Sequence, residues 1–167
     1  MGSGLRKLAL TVHLTVSVGW IGAAVAYLAL GISAATTESP PTIRAAWTAM
    51  EVTGRYVIVP LAVASVLTGL VMALGTRWGL FRHYWVLISF TLAVVAAVVV
   101  LLHMPTVSSV ADAVRGSADP ELAGFGGDLL HPALGLVVLL VVQVLNLYKP
   151  AGMTRYGRRK QRSAAAR

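Results

Sequence analysis

Leu8-Ala-Leu-Thr-Val-His13-Leu-Thr-Val-Ser-Val-Gly-Trp20-Ile-Gly-Ala-Ala-Val-Ala-Tyr-Leu-Ala-Leu-Gly-Ile32 carries no charged residue from end to end. At ~1.5 Å of rise per residue, one helix of this length covers the ~30 Å hydrocarbon core of a bilayer. Three similar stretches follow, at about Tyr56–Leu74, Tyr84–Leu102 and His131–Leu147. They account for a chain of 167 residues that is 57% hydrophobic and only 12% charged, where a soluble domain carries about twice that charged share. The fold expected is all-α, an integral membrane four-helix bundle over residues 1–154 with a basic cytoplasmic tail over 155–167. The first stretch follows Arg6-Lys7 as a signal peptide would, but it exceeds an ordinary secretory h-region and reads as a retained transmembrane helix.

Charge placement orients the bundle. With the N-terminus inside, the inner segments hold eleven of the fourteen Lys and Arg residues. The outer loops hold Arg44, Arg55 and Arg115 together with all six acids: Glu38, Glu51, Asp112, Asp119, Glu121 and Asp128. The positive-inside rule then puts both termini in the cytoplasm, for a multi-pass protein of the cell (plasma) membrane. The net charge of +8 reads as this topology signal, so no nucleic-acid partner is expected. The tail Arg155–Arg167 reads as a disordered stop signal in preference to a contact with anionic lipid headgroups. With no cysteine, thiolate metal sites and disulfides are excluded.

Pro40-Pro41 suits a helix start, and Ile43–Arg55 reads as a helix running into the second span. Pro60 is expected to kink that helix near its outer end. The short connection Gly75–His83 makes spans two and three antiparallel neighbours. The third span is expected to continue outward to about Arg115. In the loop Gly116–Leu130, Gly124-Phe125-Gly126-Gly127 reads as a flexible turn, since no phosphate-binding helix follows it in the required pattern. Small residues recur at packing spacing: Gly19 and Ala23; Ser65, Gly69 and Ala73; Ala93 and Ala97. They suit contacts within the bundle or between copies. Trp47 and Tyr56 at one level, with Trp78, Tyr84, Trp85 and Tyr148 at the other, fit interfacial aromatic belts. Trp20 falls near the midplane instead.

Four histidines carry the chemistry. His83 and His103 are twenty residues apart on one span, a rise of ~30 Å, so they cannot share an ion within one protomer. His103 pairs by level with His131 at the outer face, and His13 with His83 at the inner face. Imidazole in or near hydrocarbon is costly and is usually kept for a ligand, ion or proton. One chemistry is haem held axially between helices. The other is copper or zinc, helped at the outer layer by Glu51, Asp128, Met104 or Met50, with Asp112 further along. Asp128 and His131 at i and i+3 could share a helix face. A bland reading stands beside these, in which interfacial histidines merely meet water or headgroups. No Ser–His–acid constellation at motif spacing and no acidic relay through the membrane is present. Gln143 and Asn146 read as interhelical hydrogen-bonding residues.

The stretch His13 to Gly22, with Trp20 seven residues after the histidine, resembles the opening of a bacterial family of uncharacterised four-helix membrane proteins. That family is related to copper-resistance D proteins, and the stretch is also similar to haem-containing membrane protoporphyrinogen oxidases. Leu67-Thr-Gly-Leu70, Trp78-Gly-Leu-Phe-Arg-His-Tyr-Trp85 and Leu101-Leu-His-Met104 extend the resemblance to about Ser109. It implies that His13 is an axial haem ligand. It would also place a lysine near Ser89, where this chain departs, so it supports a haem or copper site more than porphyrinogen oxidation.

Three readings follow. The leading one is a haem b protein for electron transfer or oxidoreductase chemistry at the membrane, with His13, Trp20, His83, His103 and His131 about the cofactor. Its partners would be the lipid bilayer, a redox partner or quinone, and further copies of the chain in a homo-oligomer. The second is a copper-binding protein with an outer site of His103, His131, Glu51, Asp128 and Met104, alone or alongside haem. The third is a cofactor-free membrane scaffold.

Overall fold

A computed structural model describes residues 2–75 and 79–165. Arg77 and Trp78 of the inner connection, and Arg167 of the tail, lie outside the described residues. The chain forms α1 (Ser3–Thr36), α2 (Pro40–Thr53), a π turn (Gly54–Ile58), α3 (Val59–Gly75), α4 (Tyr84–Gly116), a 3-10 turn (Asp119–Gly124), α5 (Leu130–Tyr148) and α6 (Arg155–Ala165). Four continuous helical stretches are long and apolar enough to cross a membrane: Ser3–Thr36, Pro40–Gly75, Tyr84–Gly116 and Leu130–Tyr148. Leu and Val side chains stand exposed along all four, Leu102 and Leu147 among the most open. So much outward-facing apolar surface suits lipid, not water. The protein is an all-α, multi-pass membrane bundle.

The inward face of α1 is a heptad-like seam of Trp20, Ala24, Tyr27, Gly31 and Ala34, all buried. Spacings of three and four keep that seam on one side of the helix. Across from it, Ser17 and Ser65 hydroxyls meet at 2.9 Å, and a Cβ on Gly69 would lie 3.3 Å from the His13 ring. Ala73 packs with Trp85 and Val86. The Ser65, Gly69 and Ala73 stripe therefore serves packing inside the bundle.

α2 continues into α3 as expected, and the π turn is how it passes Pro60. Proline lacks the N–H that would bond four residues back, and its ring crowds that carbonyl. Widening the preceding turn to a π geometry relieves the conflict without ending the helix. Gly54 starts that turn and lets the Met104 thioether of α4 press against the backbone. α4 runs through Pro105 to Gly116, bearing out the outward extension of the third span.

The main core lies toward the acidic end, where α2 and the end of α4 close over the 3-10 turn. Ile43, Met50, Val107, Val114 and Leu122 are its most buried side chains. All three arginines at this end are engaged. Arg44 donates to the carbonyls of Val114 and Ser117 and to Asp119. Arg55 donates to Ser108, and Arg115 to Glu51 and Asp112. Their exception to the charge rule thus has a structural cause: Arg44 ties the loop after α4 to α2, and Arg55 and Arg115 link the α2 end of the second span to α4.

The tail corrects the disordered reading. Thr154 accepts from the Gly157 N–H, capping the first turn of α6. Its own hydroxyl donates to the Phe81 carbonyl, and its N–H donates to Arg82 at 2.9 Å. His83 and Met153 form an antiparallel bridge beside it. At Gly157 the backbone of residue 82 approaches so closely that a side chain could not fit. The helix is docked at its start, and the partner that docks it lies 72 residues away in sequence.

Candidate metal centre

Asp128 precedes α5, and the loop that carries it is pinned to α1. A Cβ at Gly31 would come 2.5 Å from the Asp128 carbonyl oxygen. A Cβ at Gly127 would run into the Gly31 carbonyl. Two glycines facing each other let backbone lie on backbone. Trp47 of α2 adds an indole N–H donated to the Gly126 carbonyl at 3.2 Å. The glycine cluster read as a flexible turn is therefore a fixed platform, because contacts from α1 and α2 hold it.

That platform delivers the Asp128 carboxylate, 9% exposed, into a group of three partners. His103 Nε2 lies 2.7 Å from its Oδ2, and His131 Nδ1 lies 3.3 Å from its Oδ1. Tyr27, on the buried seam of α1, donates its hydroxyl to Oδ2 at 3.3 Å. A carboxylate removed from water costs several kcal/mol unless it is paired and hydrogen-bonded, and here it has partners from α1, α4 and α5. The His103 and His131 rings stack, with centroids 3.6 Å apart and planes 20° from parallel. The start of α5 helps, since a carboxylate at a helix N-terminus meets the positive end of the dipole.

One nitrogen from each histidine and one carboxylate oxygen lie within 4.8 Å of one another. Zinc and similar ions bind such atoms at ~2.0–2.2 Å, which sets neighbouring ligands roughly 3.4 Å apart in a tetrahedron. The ligand atoms must close by up to about 1.4 Å to meet one ion, and His131, 46% exposed at the start of α5, is the least enclosed of the three. Two imidazoles and a carboxylate with an open side suit zinc, copper(II) or another borderline first-row ion. They do not suit one haem between them. Axial imidazoles stand on opposite faces of the porphyrin and point their nitrogens at the iron. Rings stacked 3.6 Å apart leave no room for a macrocycle between them.

Compared with protein-family models, curated proteins and solved structures, the chain finds no match.

The remaining residues singled out in the sequence stand elsewhere. Glu51 is committed to Arg115 at 2.9 Å. The Met104 thioether lies against Gly54, and Met50 is fully buried in the core. Asp112 pairs with Arg115. His13 shares a 2.9 Å hydrogen bond with Thr68, whose hydroxyl also donates to the Ala64 carbonyl. Trp20, 2% exposed, is enclosed by the protein's own core. His83 occupies the residue position just before α4, without a side-chain capping bond, beside Trp85 with ring centres 6.5 Å apart.

Tyr27 is the site residue that sequence reasoning missed. A signal was present: Tyr27 falls seven residues after Trp20 on the same helix face, a polar group inside an otherwise apolar run. Its partner lies 101 residues on, and nothing local marks the pairing.

Proposed function

We propose that this protein binds a divalent transition-metal ion, copper(II) or zinc, at the acidic end of its membrane bundle. His103, Asp128 and His131 are the ligands, and Tyr27 is a positioning residue that holds the carboxylate. The observation that carries this reading is the convergence of the three ligand atoms within 4.8 Å. The charge distribution favours capture from the extracytoplasmic side, since every acidic residue is at that end. Nitrogen and oxygen donors without thiolate favour a borderline ion over copper(I). When bound, such an ion supplies a Lewis-acidic centre with an open position. The chain's own part is to converge the ligands, fix the carboxylate through Tyr27, and hold the loop against α1 through Gly31 and Gly127.

The test is a metal titration of purified protein, followed by calorimetry and elemental analysis, with His103→Ala, His131→Ala and Asp128→Asn alongside. One ion per chain is expected, lost in each variant. Stoichiometric binding that survives all three substitutions would overturn the assignment. An absorption spectrum on the same sample reads haem independently, by a Soret band.

A further inference from the structure

Arg155, Arg158, Arg159 and Arg162 line one shallow groove of about 210 Å³ on α6. Their spacing of three, four and seven puts all four on one helix face. All are exposed, and among the described residues none is paired with a carboxylate. The acids of the chain are all at the opposite end. A solvated stop signal needs neither this order nor a fixed position. α6 has both, because Thr154 and Gly157 dock its first turn on residues 81 and 82.

The docking point lies at the membrane-end level of the bundle. Around it, Leu74, Phe81, Tyr84, Leu147, Tyr148 and Tyr156 are all more than two-fifths exposed. Exposed aromatic and apolar side chains at helix ends mark the headgroup zone of a bilayer. An arginine-lined groove fixed beside that ring meets phosphate before it meets anything else.

We propose that the α6 groove is a binding site for the phosphate headgroup of an anionic phospholipid of the surrounding bilayer. Guanidinium groups match phosphate oxygens in paired hydrogen bonds, and four converging on one groove favour a headgroup of net negative charge over a zwitterion. The site is separate from the metal centre and stands at the other end of the molecule.

The test uses the full chain in mild detergent, titrated with phosphatidylglycerol or phosphatidylcholine and read by native mass spectrometry. Phosphatidylglycerol is expected to bind at least roughly ten-fold tighter, given the attraction of each basic residue near an anionic surface. The quadruple variant R155Q/R158Q/R159Q/R162Q is expected to lose that preference with an unchanged circular dichroism spectrum. As a check that does not depend on that variant folding, the wild-type preference should shrink as sodium chloride rises, and the matching Arg→Lys variant should keep most of it. Equal affinity for the two lipids, or a preference retained by the Gln variant or insensitive to salt, would overturn the proposal. So would full displacement by millimolar inorganic phosphate, which marks a free-anion site, or tighter binding of an oligoribonucleotide than of phosphatidylglycerol.

Discussion

Replacing Gly31 with alanine tests how the metal centre is built, since Gly31 touches no ligand side chain. The added Cβ would stand 2.5 Å from the Asp128 carbonyl oxygen, against about 3.4 Å for ordinary contact. The obstacle is backbone, so no side-chain rotation removes it. The loop must lift by about 1 Å. The His103–Asp128 bond, 2.7 Å in the intact protein, would then stretch beyond hydrogen-bond range. Loosening a part-buried hydrogen bond to a carboxylate, while Tyr27 and His131 still hold that carboxylate, costs ~1.5–3 kcal/mol. Metal affinity should fall ~10–100-fold, as when a ligand's supporting contacts are lost. Thermal unfolding in detergent and zinc or copper(II) calorimetry read the two effects separately. Gly22→Ala on the same helix is the control, because nothing lies within 4 Å of its Cβ, and it should be neutral or stabilise by up to ~1 kcal/mol. A Gly31→Ala protein with wild-type stability and affinity would refute the claim that the loop is pinned on α1.

Tyr27→Phe removes one donor from Asp128, and a 3.3 Å bond is at the weak end of the range, so apo stability should drop by ~1 kcal/mol. Metal affinity should fall about ten-fold in the same variant, and calorimetry checks both. Glu51→Gln should leave metal affinity within about two-fold of wild type, because its carboxylate serves an exposed ion pair with Arg115. A large loss of affinity there would restore Glu51 to the ligand set. Thr154→Val removes the cap of α6 at ~1 kcal/mol, and hydrogen exchange over residues 155–165 should rise while exchange in the four spans stays unchanged.

The four spans, their antiparallel order and the outward extension of α4 were legible because hydrophobic runs and helix length suffice to define them. The pairing of His103 with His131 was legible from their depth, since both histidines end up at one level once the spans are drawn. Asp128 was legible from its spacing to His131. What depth cannot supply is rotation about the helix axis and the path of a loop. Glu51 and Met104 share a level with the histidines, but Glu51 is taken by Arg115 and the Met104 thioether by Gly54. Tyr27 was hidden for the opposite reason: its partner sits in a loop 101 residues away, positioned by backbone contact between two glycines. The order of α6 likewise depends on Thr154 meeting residues 81 and 82, a contact that helix propensity and charge do not encode.

X-ray absorption at the copper or zinc edge of the metal-loaded protein tests the central claim most directly. The account predicts two imidazole nitrogens and at least one oxygen at ~2.0–2.2 Å, with the histidine signature lost in His103→Ala and His131→Ala. A spectrum dominated by sulfur, unchanged by those substitutions, or unobtainable because the intact chain retains no ion would contradict it.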